Sequence, residues 1–152
     1  MDINENRLNF CQQAFEVEFT VNGRENPVEQ LKAITSNEMP TVVFDATGNV
    51  KSMENAFSYV ASGGKLIFVG LVQDNITFHD PEFHRKEITL FSTRNSTGND
   101  FKRIITLMEQ NKIATNPWIT HRATSDELIE AFPTWLNPDS GTIKAMVSFE
   151  SW

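Results

Sequence analysis

The amino-acid sequence predicts an α/β fold built on a doubly wound parallel sheet. Residues 41–44 (TVVF) and 66–69 (LIFV) are short apolar runs rich in β-branched and aromatic side chains. Neither alternates with polar residues, as expected of strands covered on both faces of a parallel sheet. Between them Val50, Met53, Ala56, Phe57, Val60 and Ala61 recur at helical spacing, and Gly63-Gly64 supply residues that stop a helix and reverse the chain. Residues 41–71 therefore read as one βαβ unit with a right-handed crossover. Upstream elements extend the order to helix, strand, helix, strand, helix, strand, half of a doubly wound sheet.

In chain order, Asn4 caps a helix reaching Phe15 that places Leu8, Cys11 and Phe15 on one face. Residues 17–21 follow as a short strand closed by Asn22-Gly23. Asn26-Pro27 starts a second helix, with Val28, Leu31 and Ile34 at helical spacing. After the βαβ unit, residues 72–87 read as a polar loop with a short strand at 76–78, and residues 88–91 are the next strand. It ends in the polar cluster Ser92-Thr93-Arg94-Asn95. A helix over about 100–110 directs Phe101, Ile104, Ile105 and Met108 inward. TSDELIEAFPTWL carries a Thr or Ser cap and early acidic residues, the signature of a helix start. Residues 142–149 complete the chain as a strand. The parallel sheet is expected from the strands near 17, 41, 66 and 88, with the last helix and strand packed beside it.

A chain of 152 residues has single-domain length. The net charge of −7 and the scattering of its 13 basic residues argue against a nucleic-acid partner. No apolar run approaches the roughly 20 residues of a membrane span, and MDINENRLNF has no signal-peptide core, so a cytoplasmic protein without a membrane partner is expected. Cys11 is the single cysteine, which excludes an internal disulfide and a cysteine-based zinc site.

Ligands of open α/β sheets sit beyond the carboxyl ends of the strands. The ends to inspect are Asp45-Ala46-Thr47-Gly48 and Gly70-Leu71, both marked by glycine. Turn chemistry alone also selects such residues after a strand. His79 and His84 flank Asp80 and Glu82, a pattern that suggests a metal site but more often marks a solvated loop, and His121 reads as structural. No G-x-S-x-G elbow supports hydrolase chemistry.

DINENRL, VVFDATG, ASGGKLIFVGL, DFKRIITLMEQNKI, PWITHR and GTIKAMV, in this order and spacing, resemble landmarks of the zinc-type medium-chain alcohol dehydrogenases. STRN together with PWITHR resembles the sorbitol dehydrogenase-like branch acting on polyols and sugar acids. The resemblance implies a Rossmann-type domain over about 1–115 and a terminal piece, 116–152, belonging to the catalytic domain in the intact family. It implies NAD as cofactor, with Asp2 holding the adenosine ribose. Further contacts come from Ala46, Thr47 and Gly48, from Val69, Gly70 and Leu71, and from Ser92, Thr93 and Arg94. A carboxylate at Asp2 suits both ribose hydroxyls of NAD and would repel a 2′-phosphate.

The departures from the family are equally specific. The sequence has no G-x-G-x-x-G turn, so the expected sheet is truncated, without the first strand, that turn and the first helix. The family's zinc-binding amino-terminal domain is likewise not in the sequence. His79, His84, His121 and Cys11 show no ligand spacing that could replace it. The implied function is NAD-linked, zinc-assisted oxidation of a polyol or sugar acid, with this chain inactive alone. A non-catalytic nucleotide-binding or oligomerisation module, or a fragment of a disrupted dehydrogenase gene, are the alternatives. Without the first strand and its helix, an apolar edge and face beside the strands near residues 17 and 41 are left uncovered and predict a homodimer, and the resemblance implies pairing through the edge strand at residues 88–91 or its neighbour.

Overall fold

The computed structural model describes residues 1–15 and 17–149. They form two compact units, Met1–Asn95 and Ser96–Trp152.

The first unit opens with α1 (Glu5–Phe15), whose start is capped by Asn4: its Oδ1 accepts from the amides of Asn6 and Arg7. Leu8 is buried, as the spacing predicts. α2 (Pro27–Ile34) begins at a proline, which lacks the N–H that a first helical turn would leave unpaired. β1 (Val42–Asp45), α3 (Val50–Tyr59) and β2 (Lys65–Phe68) make the βαβ unit, and β3 (Thr89–Ser92) completes a parallel sheet of order β1-β2-β3. Its register aligns Val43, Leu66 and Leu90 in one row and Asp45, Phe68 and Ser92 in another. α3 buries Met53, Ala56, Phe57 and Tyr59 in one cluster with Val60, Leu66, Phe68 and Ile88, and Val28 and Leu31 of α2 pack against it.

Four expectations for this unit change. Residues 17–21 form no strand: pairing there is one isolated bridge between Asp2 and Asn22, too short a ladder to propagate. The sheet therefore has three strands rather than four. The strands are also not covered on both faces. Alternation sends Val42 and Phe44 away from the helix-covered face, and they are 45% and 66% exposed. Residues 76–78 are not a strand, because the Thr77 amide donates to Glu54 Oε1 (2.9 Å) while Phe78 stacks on Phe57 at 4.8 Å. The expected loop after it contains a short helix, α4 (Asp80–Arg85), started by Pro81 and early acids and braced by Arg85 on Glu82.

The second unit contains α5 (Gly98–Glu109), β4 (Ile119–Thr124), α6 (Leu128–Trp135) and β5 (Lys144–Ser148). α5 starts in a reciprocal capping box between Thr97 and Asp100. β5 pairs in parallel with β4 as a separate two-stranded sheet, not as part of the first one. Phe101, Ile104, Ile105 and Met108 do form a stripe on α5, but all four are exposed rather than inward. Periodicity defines a stripe; it does not supply the surface that covers it. Among the described residues of this unit the buried apolar side chain is Ala123.

Candidate functional site

The register of the three-stranded sheet brings the carboxyl ends of β1, β2 and β3 level at Asp45, Phe68 and Ser92. The segments that leave these ends are residues 46–48, 69–71 and 92–94, so nine of the ten sequence-predicted site residues gather along one edge. Backbone hydrogen bonds fasten them there. The amides of Val69 and Gly70 both donate to the Asp45 carbonyl (2.8 and 3.0 Å), and the Thr93 amide donates to the Phe68 carbonyl (3.0 Å).

Glycine is required where the first two segments meet. A Cβ on Gly70 would stand 2.5 Å from Gly48 N and 3.1 Å from Ala46 C. Gly48 itself has φ +59, and its Cβ would lie 3.1 Å from the Leu71 carbonyl oxygen. The two turns thus press backbone on backbone. Around them Ala46, Thr47, Val69, Leu71, Ser92, Thr93 and Arg94 are exposed, offering main-chain groups, hydroxyls and one guanidinium to a ligand.

Asp2, the tenth residue, sits in the bridge with Asn22: its amide donates to the Val21 carbonyl and its carbonyl accepts from Gly23. Its Oδ1 accepts from the Asn4 amide (2.9 Å), and Oδ2 lies 3.7 Å from the Arg7 guanidinium. That carboxylate is half-buried and internally engaged.

Below the exposed turn lies a buried carboxylate, that of the aspartate which opens the Asp45-Ala46-Thr47-Gly48 strand end. Asp45 is 6% exposed, the one charged residue in the buried set among the described residues. Its Oδ1 accepts from the amide (2.9 Å) and the hydroxyl (2.7 Å) of Thr47, and its Oδ2 accepts from the Ser52 hydroxyl (2.8 Å). An aspartate two residues before a threonine is the available signal, since such side chains bond the backbone two residues on. Burial of Tyr59, and secondarily the Asp45 charge, raise the phenol above its ordinary pKa. At the other end of α3, Lys86 Nζ donates to the carbonyls of Ser58 and Val60 (both 3.1 Å), and burial lowers its pKa.

Zinc does not fit the side chains of the described residues. Among the described residues no three His, Cys, Asp or Glu groups converge as a metal site. His84 instead faces Asp80 at 3.4 Å on exposed α4, and His121 Nδ1 lies 3.0 Å from Thr120 Oγ1. Among the described residues no helix is long and apolar enough to cross a membrane.

A parallel sheet with crossover helices and glycine-bearing turns at its carboxyl edge defines the Rossmann-type class of α/β protein. The zinc-binding dehydrogenase profile matches residues 1–110, and the chain belongs to that family. It is 36% identical over 120 residues to L-galactonate-5-dehydrogenase of Escherichia coli K12, covering 79% of this chain and 35% of that one. It is 30% identical over 156 residues to L-arabinitol 4-dehydrogenase of Aureobasidium melanogenum, covering 98% and 42%. The fold is also that of a short chain alcohol dehydrogenase from Escherichia coli CFT073 solved with NADH, with a TM-score of 0.85 at 18% identity over 97% of this chain and 43% of that one. The chain corresponds to the carboxyl-terminal part of its relatives and spans less than half of their length.

Proposed function

We propose that this chain is the NAD(H)-binding carboxyl-terminal part of a dehydrogenase that oxidises a polyol or sugar acid. The single observation that carries the reading is the level row of strand ends, which sets the largely exposed segments 46–48, 69–71 and 92–94 along one edge of the sheet. In this reading residues 46–48, 69–71 and 92–94 receive the nicotinamide side, and Asp2 accepts the adenosine ribose hydroxyls in place of its present partners. NAD, when bound, supplies the hydride acceptor. The family match over residues 1–110 supports a cofactor-binding part over about 1–115, with 116–152 belonging to the catalytic domain. Relatives acting on L-galactonate and L-arabinitol support the substrate class.

As an isolated chain it binds cofactor weakly and does not turn over substrate. The sequence has no glycine-rich pyrophosphate turn, and each charge-assisted hydrogen bond forgone is worth about 1.5–3 kcal/mol. The exposed β3 edge supports a homodimer formed strand to strand.

Amide-shift mapping by NMR during NADH titration tests the site. Shifts should concentrate on Gly48, Gly70 and Thr93, with a dissociation constant in the millimolar range and weaker binding of NADPH. Shifts confined to the Phe78 and Phe83 side of the unit would place any cofactor elsewhere and sink the reading.

A further inference from the structure

Resting on the cofactor site just proposed, the geometry points to Asp45 as the positioning residue that sets both of its glycine turns. It is not among the residues offered to the ligand, since it is buried beneath them. Its two ends act on different segments. The carboxylate takes the amide and hydroxyl of Thr47 on Oδ1 and the hydroxyl of Ser52 on Oδ2, tying the 46–48 turn to the first turn of α3. The carbonyl of the same residue takes the amides of Val69 and Gly70, tying down the turn after β2. One buried residue thereby fixes the two backbones that meet at Gly48 and Gly70.

The chemistry selects an acceptor. Three donors converge on this carboxylate, and an ionised carboxylate offers lone pairs with no hydrogen of its own to place. The arrangement also defines what Thr47 does. Its hydroxyl donates to Asp45 and accepts the Asn49 amide at 3.2 Å, while Asn49 Oδ1 caps α3 through the Ser52 amide at 3.1 Å. With its hydroxyl proton and its amide both committed to Asp45, Thr47 extends the Asp45 network into the helix cap.

The test compares wild type with Asp45→Ala, Asp45→Leu, Asp45→Asn and Ser52→Ala, reading amide hydrogen exchange of residues 46–49 and 69–70 together with NADH affinity by NMR. Losing the buried acceptor should speed exchange at Thr47 and Asn49 and weaken NADH binding, each by at least about tenfold, in Asp45→Ala. Asp45→Asn keeps one acceptor oxygen facing Thr47, so both readouts should stay within about threefold of wild type. Ser52→Ala should leave Thr47 exchange equally close to wild type. Asp45→Leu, which fills the space without an acceptor, separates packing from hydrogen bonding and should be as impaired as the alanine. Wild-type behaviour of Asp45→Ala, or an Asp45→Asn variant as impaired as the alanine, overturns the assignment. If Asp45→Ala does not fold, Thr47→Val takes its place and should speed Asn49 exchange; an unchanged rate there counts against the network. If wild type shows no NADH shifts at all, the cofactor reading fails, while the exchange comparison still decides whether Asp45 sets the turns.

Discussion

Gly70 and Gly48 meet without a side chain between them: a Cβ on Gly70 would lie 2.5 Å from the Gly48 nitrogen. The obstructing atom is backbone, so it cannot swing aside as a flexible side chain would. Gly70→Ala must move one turn off the other, and overpacking of this kind costs about 1–3 kcal/mol. Urea denaturation should show that loss, with a further loss of NADH-dependent amide shifts at both turns. A variant as stable as wild type would mean that the turns slide freely.

Tyr59 is the single tyrosine of the chain, so phenolate absorbance titrates one buried group. Burial first, and the Asp45 charge second, hold its pKa above the ordinary value of 10.0. Because the unfolded chain releases this proton at lower pH than the fold does, the contribution is complete below about pH 10 and is lost as pH rises through the folded pKa. The absorbance midpoint should lie above that of the urea-unfolded chain, and Tyr59→Phe should lose less stability over that alkaline range.

Lys86 closes the last turn of α3 by donating to Ser58 and Val60. Lys86→Met keeps the apolar stem and removes the donor, leaving the half-buried Val60 carbonyl short of a partner. The expected loss is about 1 kcal/mol in thermal or urea unfolding, and Lys86→Arg should recover part of it.

Association should run through the β3 edge, beside which the sheet leaves one apolar face open. Phe44 and Phe91 alternate onto the same face and are 66% and 47% exposed. Sedimentation at low micromolar concentration should reveal a dimer, and Phe91→Glu, on the β3 edge, should shift it to monomer. A wild-type monomer under those conditions would refute the dimer.

Catalysis by the isolated chain is expected to be undetectable when NAD reduction is followed with a panel of polyols and sugar acids and added zinc. Turnover that copurifies with the chain through successive columns would require a donor set not recognised among the described residues.

The sequence made the βαβ unit legible because each local signal agreed: unalternating runs at β1 and β2, the helical spacing of Met53, Ala56 and Phe57, and Gly63-Gly64 between them. The row of strand ends followed from topology. Three features were not readable. Residues 17–21 have strand composition, but pairing, which composition does not record, reduces to the Asp2–Asn22 bridge. Phe101, Ile104, Ile105 and Met108 have the period of a core face, yet period says nothing about what covers it. Asp45 was visible as a turn residue, whereas its burial under Thr47 and Ser52 depends on α3 lying over the strand.

The thin interior of the second unit bears on how long the chain survives in a cell. With Ala123 as its buried apolar side chain among the described residues, that unit gives up little hydrophobic contact when it opens. A protease samples such openings in proportion to their population. The first cuts should therefore fall beyond Asn95, leaving the three-stranded unit as the resistant product, and the lifetime of the intact polypeptide is set by how often this second unit opens.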